Sequence, residues 1–331
     1  MANKGYRHLT YEDRCQIYAL RKSGSTSSEI AAHLNVHRST VNREIERNSG
    51  EKGYRFKQAH SLSETRRHEA SSTKSKMTAD TIALIENKLR NEQWSPEQIS
   101  GWMKRTLGHG VSHETIYRHI WQDKSQGGDL HKHLRHGHKK YNKRSGKNAG
   151  RGCIPARVDI DERPKIVEYK ERIGDFELDT IIGKNHQGAI VSMVDRASKF
   201  TKLVLVTNKT SAVVTSAINN ALAPFKPLLF TITADNGKEF AGHQDITREL
   251  DAQVYFAKPY HSWERGLNEH TNGLVRQYFP KGTPFDSLSA EDVQMVEDLL
   301  NSRPRKILDF QTPMEVMQRS ILEISGDALH C

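Results

Sequence analysis

The sequence predicts a multidomain chain: all-α N-terminal helix-turn-helix units, followed by an α/β domain with a mixed five-stranded sheet. Three observations predict it. The charge divides, with 30 Lys/Arg against 15 Asp/Glu in residues 1–157 and 20 against 25 in residues 158–331, within a formal net charge of +10. Apolar residues recur at helical spacing in the first part and switch to period-two alternation from Ile173 onward. Short capped helices joined by tight turns occur twice in the front part.

The chain has 331 residues, enough for two or three domains with at least one sizeable core. No apolar run approaches the roughly 20 residues of a membrane helix, so no membrane partner is expected. The first residues carry no apolar signal core, and a cytoplasmic protein is expected. Cys15, Cys153 and Cys331 are odd in number and far apart, which excludes a disulfide framework or a zinc site from their spacing. A basic front joined to a mildly acidic rear points to a nucleic-acid-binding arm.

In the front part, Thr10 caps a helix with acids in its first turn, and Ile17 and Leu20 share a face. A second helix covers Ser27 to His33. Ser39 is expected to cap a third, Thr40 to Arg47, in which Val41 and Ile45 share a face. The geometry is that of a helix-turn-helix, whose second helix enters the major groove. Arg38, Ser39, Thr40, Asn42, Arg43 and Arg47 are then candidates for base or phosphate contact. The pattern returns from Trp94 to Gln122. Ser95-Pro96 opens one helix, Gly108 turns the chain, and Ser112 caps the next. Ile116 and Ile120 face inward there, leaving His113, Thr115 and Arg118 for a groove. A further helix is read from Thr78 to Asn91. The expected domains are 1–60 and 61–130 for the two DNA-binding units, 131–168 for a basic linker and 169–331 for the rear domain. Residues 131–157 hold nine Lys/Arg, four His and no acid, and Lys139, Lys140, Lys143 and Arg144 are candidates for phosphate contact. Histidines 131, 133, 136 and 138 lack a carboxylate or thiol beside them, so the basic-arm reading is preferred over a metal site.

The rear part opens with alternation. Phe176, Leu178 and Ile182 are apolar, while Asp175, Glu177 and Asp179 share the other face of one strand. Like charges in a row require a metal or a basic partner. Strands at 189–194 and 200–206 complete an antiparallel meander. A helix follows from Ser211, then a short strand around Phe230 and Ile232, read as buried on both faces. It breaks at Asp235-Asn236-Gly237, where Asp235 is either a turn cap or a site residue. A helix with Ile246 and Leu250, a strand at 253–256 and a helix carrying Glu269 follow. Helices built on Val293, Val296 and Leu300, and on Pro313, close the domain. This order is that of the ribonuclease H-like fold, in which the first and fourth strands are neighbours and Asp179 approaches Asp235. Strand parity leaves Asp175, Glu177 and Asp179 equivalent. Glu264 rivals Glu269, and Asp195 and Glu239 are further carboxylates.

Four stretches carry a specific resemblance: Tyr255 to Gly282 (YFAKPYHSWERGLNEHTNGLVRQYFPKG), Glu177 to Gly183 (ELDTIIG), Thr233 to Phe240 (TADNGKEF) and Asn301 to Lys306 (NSRPRK). With them the chain resembles the IS-thirty family of bacterial insertion-sequence transposases over nearly its whole length. The resemblance implies Asp179, Asp235 and Glu269 as catalytic and metal-holding residues, with 33 residues between the last two. His270 and Asp175 depart from the family pattern, where Asn and His are common. The resemblance implies Mg2+ as cofactor, with Mn2+ as a substitute, and double-stranded DNA as partner, both terminal inverted repeats and target. It also implies a circular intermediate with abutted ends and a nucleoid-associated bacterial enzyme. An oligomer is expected because two ends must meet. Arg265, Asn272, Arg276 and Lys281 lie around Glu269 in sequence and are candidates for DNA contact; Glu269, Asn272 and Arg276 share a helix face. Two other readings compete: a helix-turn-helix transcriptional repressor with a degenerate nuclease-like domain, and a ribonuclease H or structure-specific nuclease.

Overall fold

The structure, a computed structural model, describes residues 7–72, 76–135, 154–258 and 266–327. The candidate contacts Lys139, Lys140, Lys143, Arg144 and Arg265, together with His136, His138 and Glu264, lie outside the described residues. The chain divides into two compact units, Met1–Thr78 and Ala79–Cys331.

The first unit holds α1 (Tyr11–Lys22), α2 (Ser27–His33), α3 (Arg38–Asn48), a small hairpin of β1 (Ser49–Gly50) and β2 (Gly53–Tyr54), and α4 (Phe56–Ser72). Reciprocal capping boxes start the first two helices, Thr10 with Asp13 and Thr26 with Glu29. Asn35 takes a left-handed conformation (φ 52°) in the turn between α2 and α3, a role Asn tolerates well. The expected cap of α3 is corrected: His37, not Ser39, takes that position. The His37 side chain accepts the Ser39 backbone N–H at 3.2 Å, so the helix opens at Arg38 and Ser39 falls inside its first turn. Leu9, Ile17, Ile30, Leu34, Val41 and Tyr54 form the core. α4 has no counterpart in the sequence reading. It is held by a buried ion pair: Arg14 Nε donates to Glu44 Oε1 at 2.7 Å, and the same guanidinium reaches Ser63 Oγ on α4 at 2.9 Å. The Tyr54 hydroxyl also donates to Glu44 Oε1, at 3.2 Å.

The second unit begins with α5 (Ala79–Arg90), α6 (Pro96–Leu107) and α7 (His113–Ser125). Ser95 and Gln98 form a capping box with Pro96 at the first position, and Gly108 ends α6 left-handed (φ 70°). These helices are fastened to the rest of the unit. Tyr278 Oη donates to the Glu92 carbonyl at 3.3 Å, Arg303 Nη2 to the same carbonyl at 3.2 Å, and Lys306 pairs with Glu97 at 2.6 Å. The Phe310 ring fills the place that a side chain on Gly101 would take.

The sheet follows, with β3 (Val158–Asp159), the short helix α8 (Ile166–Tyr169), β4 (Asp175–Ile182), β5 (Ala189–Asp195) and β6 (Thr201–Val206). Then come α9 (Ser211–Leu222), β7 (Thr231–Ala234), α10 (His243–Leu250), β8 (Gln253–Phe256), α11 (Gly266–Tyr278), α12 (Ala290–Asn301) and α13 (Pro313–Asp327). The strand order is β3-β8-β7-β4-β5-β6. The sheet therefore has six strands rather than five. The addition is the two-residue β3, which pairs parallel with β8 and is too short to show a period in sequence. The expected meander of β4, β5 and β6 is present and antiparallel. One face packs Phe176, Leu178, Met193 and Ile232 on Val214, Ile218 and Leu222 of α9 and Ile246 of α10. The other packs Ile181, Ile190 and Leu203 on Leu274 and Val275 of α11 and Val293, Val296 and Leu300 of α12. Phe230 corrects a second expectation. It precedes β7 and is 48% exposed, with the Arg172 guanidinium 4.1 Å from its ring centroid.

Arg14 generates a stability prediction. Arg14→Ala strands Glu44 as a buried charge and is expected to cost about 3–5 kcal/mol in the first unit. Urea unfolding followed by circular dichroism checks it; a loss under about 1 kcal/mol contradicts the role given to the pair.

Candidate active site

The site grows from one strand pairing. β4 and β7 run parallel, with Asp175 opposite Thr231, Phe176 opposite Ile232 and Glu177 opposite Thr233. Continuing that register by two residues sets Asp179 level with Asp235. Asp235 itself follows the last residue of β7, while Asp179 lies within β4 on the face that Asn272 of α11 reaches.

The three acids of β4 are no longer equivalent. Asp175 is 1% exposed and receives Arg172 Nη2 at 2.7 Å and Thr231 Oγ1 at 2.7 Å. Glu177 is 1% exposed and receives Arg196 Nη1 at 2.8 Å and the Asn268 backbone N–H at 3.2 Å. Basic partners thus compensate two of the three charges, as buried carboxylates require. Asp179 is half-buried at the end of the row. Its Oδ2 accepts Asn272 Nδ2 at 2.8 Å and its Oδ1 accepts the Thr180 N–H at 2.8 Å.

Asp235 follows the last residue of β7 and is half-buried. Its Oδ1 accepts the Gly237 N–H at 2.8 Å, so it does close its turn, one of the two roles the sequence allowed. Asn236 ties the turn to β8 by donating to the Ala257 carbonyl at 2.5 Å. A Cβ at Gly237 would lie 2.5 Å from Glu239 Oε2 and 2.8 Å from Asp235 Oδ1, so a side chain there would displace the tips of both carboxylates. Glu239 Oε1 accepts Thr180 Oγ1 at 2.9 Å. Asp195 is fully buried and works inside the fold, accepting Gly174 N–H at 2.8 Å and both donors of Ser198 at 2.6 Å. Burial pushes its carboxyl above the usual range against the pull of those donors.

α11 is tied to β4 at three levels: Asn268 N–H to Glu177, Asn272 to Asp179, and Arg276 Nη2 to the Ile182 carbonyl at 2.6 Å. Asn272 also accepts Ser192 Oγ at 2.9 Å from β5. The contacts of Asn272 and Arg276 in this structure are therefore internal ones. Glu269 is exposed one turn before Asn272 on the same face of the helix, and Lys281 is exposed beyond its end. In the first unit, Arg38, Asn42, Arg43 and Arg47 are exposed on α3, with Ser39 and Thr40 half-buried. Arg43 Nε folds back to the Ser39 carbonyl at 3.1 Å. On α7, Arg118 is exposed and His113 and Thr115 are half-buried. The arginine partners Arg172 and Arg196 went unseen in the sequence. Arg196 follows Asp195, which pairs with Phe176, so hairpin register alone carried that signal.

The donor chemistry of Asp179, Asp235 and Glu269, all carboxylate oxygens, suits a hard divalent cation. Among the described residues, however, no three His, Cys, Asp or Glu side chains are grouped closely enough to hold a metal.

Residues 5–48 match the helix-turn-helix domain family, and residues 151–262 match the integrase core domain family, a span that includes Asp179 and Asp235 and stops before Glu269. A helix-turn-helix domain ahead of an integrase core defines a DNA-binding polynucleotidyl transferase of the transposase and integrase class, an enzyme that depends on a divalent metal. The chain is 45% identical to the transposase for insertion sequence element IS4351 of Bacteroides fragilis, covering 95% of this chain and 97% of that protein. It is 33% identical to the transposase InsI for IS30A of Escherichia coli (strain K12), covering 95% and 84%. It is also 33% identical to the transposase for IS1086 of Cupriavidus metallidurans, covering 96% of each. The chain belongs to the IS30 family of insertion-sequence transposases. This full-length similarity leaves the repressor reading without support. Among solved structures, the catalytic core domain of BIV integrase aligns with 46% of the chain at a TM-score of 0.36 and 18% identity, too slight a likeness to build on.

The split between buried and half-buried acids generates a prediction. Glu177→Gln removes the nearer and fully buried of the two carboxylates that Arg196 meets and is expected to lower stability by about 3–5 kcal/mol. Asp179→Asn keeps the shape at a half-buried position and is expected to cost under about 1 kcal/mol. Urea unfolding read by tryptophan fluorescence compares them; equal losses contradict the division.

Proposed function

We propose that the protein acts on the ends of its own insertion element. The helix-turn-helix units bind the terminal inverted repeats as double-stranded DNA, and Asp179, Asp235 and Glu269 form the place where strands are cut and joined to target DNA. The β4–β7 register supports this reading: carried two residues past its last pair it brings Asp179 level with Asp235, just beyond β7, and α11, which is hydrogen-bonded to β4, carries a third carboxylate.

Mg2+, with Mn2+ as its substitute, would be held by these carboxylates and would supply activation of the attacking oxygen and neutralisation of the leaving oxygen. The chain's own residues prepare that place. Asn272 fixes the Asp179 side chain through one donated hydrogen bond, and outer groups of this kind orient ligands. The Asp235 turn holds its carboxylate through Gly237 N–H. Arg276 anchors α11, so Glu269 keeps its level along β4. In cleavage, water forms the new P–O bond as the bond to the 3′ oxygen breaks, leaving a 3′-hydroxyl. In strand transfer that 3′-hydroxyl forms a new P–O bond at a target phosphate as the target's own bond from that phosphate to its 3′ oxygen breaks, releasing a target 3′-hydroxyl. Arg38, Ser39, Thr40, Asn42, Arg43 and Arg47 on α3, and His113, Thr115 and Arg118 on α7, face the grooves. Arg265, Lys281 and the linker cations meet phosphates, while Asn272 and Arg276, first read as phosphate contacts, hold β4 instead. Two DNA-reading units before residue 131, a basic linker to 168 and a catalytic domain from 169 are parts of the same proposal. Two element ends must be held together, so the working form is an oligomer. No helix among the described residues is long and apolar enough to cross a membrane, and a cytoplasmic, nucleoid-associated place is proposed.

The test uses purified protein, Mg2+ and a labelled element end. The unaltered chain is expected to nick and join, and Asp235→Asn to bind the same end without forming either product. Full activity in that variant would sink the assignment. Sequence-specific binding without strand chemistry in the unaltered chain would return the repressor reading.

A further inference from the structure

A cavity of about 640 Å³ lies beside the site already described, between the start of α11, the turn after β5 and the segment after α12. Five cations line it: Arg163, Lys170, Arg196, Lys199 and Arg305. Only two carboxylates, Glu168 and Glu177, face them. All three of its guanidiniums are buried, with Arg196 2%, Arg163 6% and Arg305 8% exposed. Burying a charge is costly unless it is paired and hydrogen-bonded.

The pairing is incomplete. Arg196 meets Glu177 at 2.8 Å and Glu168 only at 3.7 Å. Arg163 takes Glu168 and donates to Thr233 Oγ1 at 2.8 Å. The Arg305 guanidinium donates to the Leu300 carbonyl at 3.0 Å and has no carboxylate partner among the described residues. The Nε groups of Arg163, Arg196 and Arg305 all lack a hydrogen-bond partner among those residues. Gly266 and Leu267, the first residues of α11, also line the space. The N-terminus of a 13-residue helix adds its own partial positive charge. Burial, and then Arg303, presses the Arg305 pKa downward, as for a cation short of counter-charge.

We propose that this cavity is a phosphate-binding site, distinct from the carboxylate cluster, that takes one phosphoryl group on Arg196, Arg305, Lys199 and the start of α11. Fork-shaped guanidinium donors and a helix N-terminus are the groups that recognise phosphate oxygens. The phosphoryl group belongs either to a DNA strand passing Asp179 or to a free phosphoryl anion. The site does not depend on the catalytic assignment, and its test needs no strand chemistry.

The experiment is isothermal titration of the full chain with sodium pyrophosphate, against sodium chloride at equal ionic strength. Saturable binding near one equivalent is expected, with a Kd of about 1 mM or tighter. Lys199→Gln and Arg305→Gln are expected to weaken it at least tenfold; circular dichroism checks their folding, and the half-buried Lys199 keeps the test open if Arg305→Gln unfolds. Absence of saturable binding in the unaltered chain, or unchanged binding in folded Lys199→Gln, overturns the proposal. Fluorescence anisotropy with a labelled duplex then settles the source. Competition by pyrophosphate, with weaker duplex binding in Lys199→Gln, assigns the phosphate to DNA. Loss of pyrophosphate binding with unchanged duplex binding assigns it to a free anion.

Discussion

The parallel ladder between β4 and β7 is the constraint on which the rest of the second unit depends. Its register, Glu177 opposite Thr233, fixes the level of every residue further along both strands. A slip of one residue would turn a strand's side chains to the opposite face. Here it would move Asp235 away from Asp179 and place Ile232 among the acids. Burial on both faces prevents the slip, since Phe176 and Ile232 are locked in one core and Ile181 in the other. The site therefore inherits its precision from the hydrophobic packing of its own strands.

That ladder also explains why so much positive charge is buried nearby. Of the acids at every second residue of β4, only Asp179, at the end of the row, is half-buried. The two inner acids are held by Arg172 and Arg196. Arg196 in turn belongs to a cationic group that exceeds the carboxylates available to it, and the surplus faces a cavity next to α11. Charge compensation for one face of a strand and a candidate anion site are two sides of one arrangement.

Much of this was legible in the sequence. Period-two alternation gave β4, the strand and helix order gave the topology, and Ser, Thr and Pro signals gave the starts of α1, α6 and α7. What stayed hidden depends on contacts between residues far apart in the chain. α4 has no apolar stripe strong enough to announce it, and what holds it is the long-range reach of Arg14 to Glu44 and Ser63. β3 spans two residues, below any period. His37 caps α3 through a ring nitrogen, whereas the neighbouring Ser39 offered the usual capping chemistry. Parity left Asp175, Glu177 and Asp179 equal, and only burial separated them. Asn272 and Arg276 shared a face with Glu269 as expected, yet their contacts run inward to β4, which helical spacing does not determine.

On the proposed reading Asp179 and Asp235, rather than the inner acids of β4, hold the metal. A crystal of the chain bound to an element end in Mn2+, measured at the manganese absorption edge, addresses it directly. Anomalous difference density is predicted between the carboxylates of Asp179 and Asp235. Density centred on Asp175 and Glu177, or none beside Asp179 and Asp235, would contradict it.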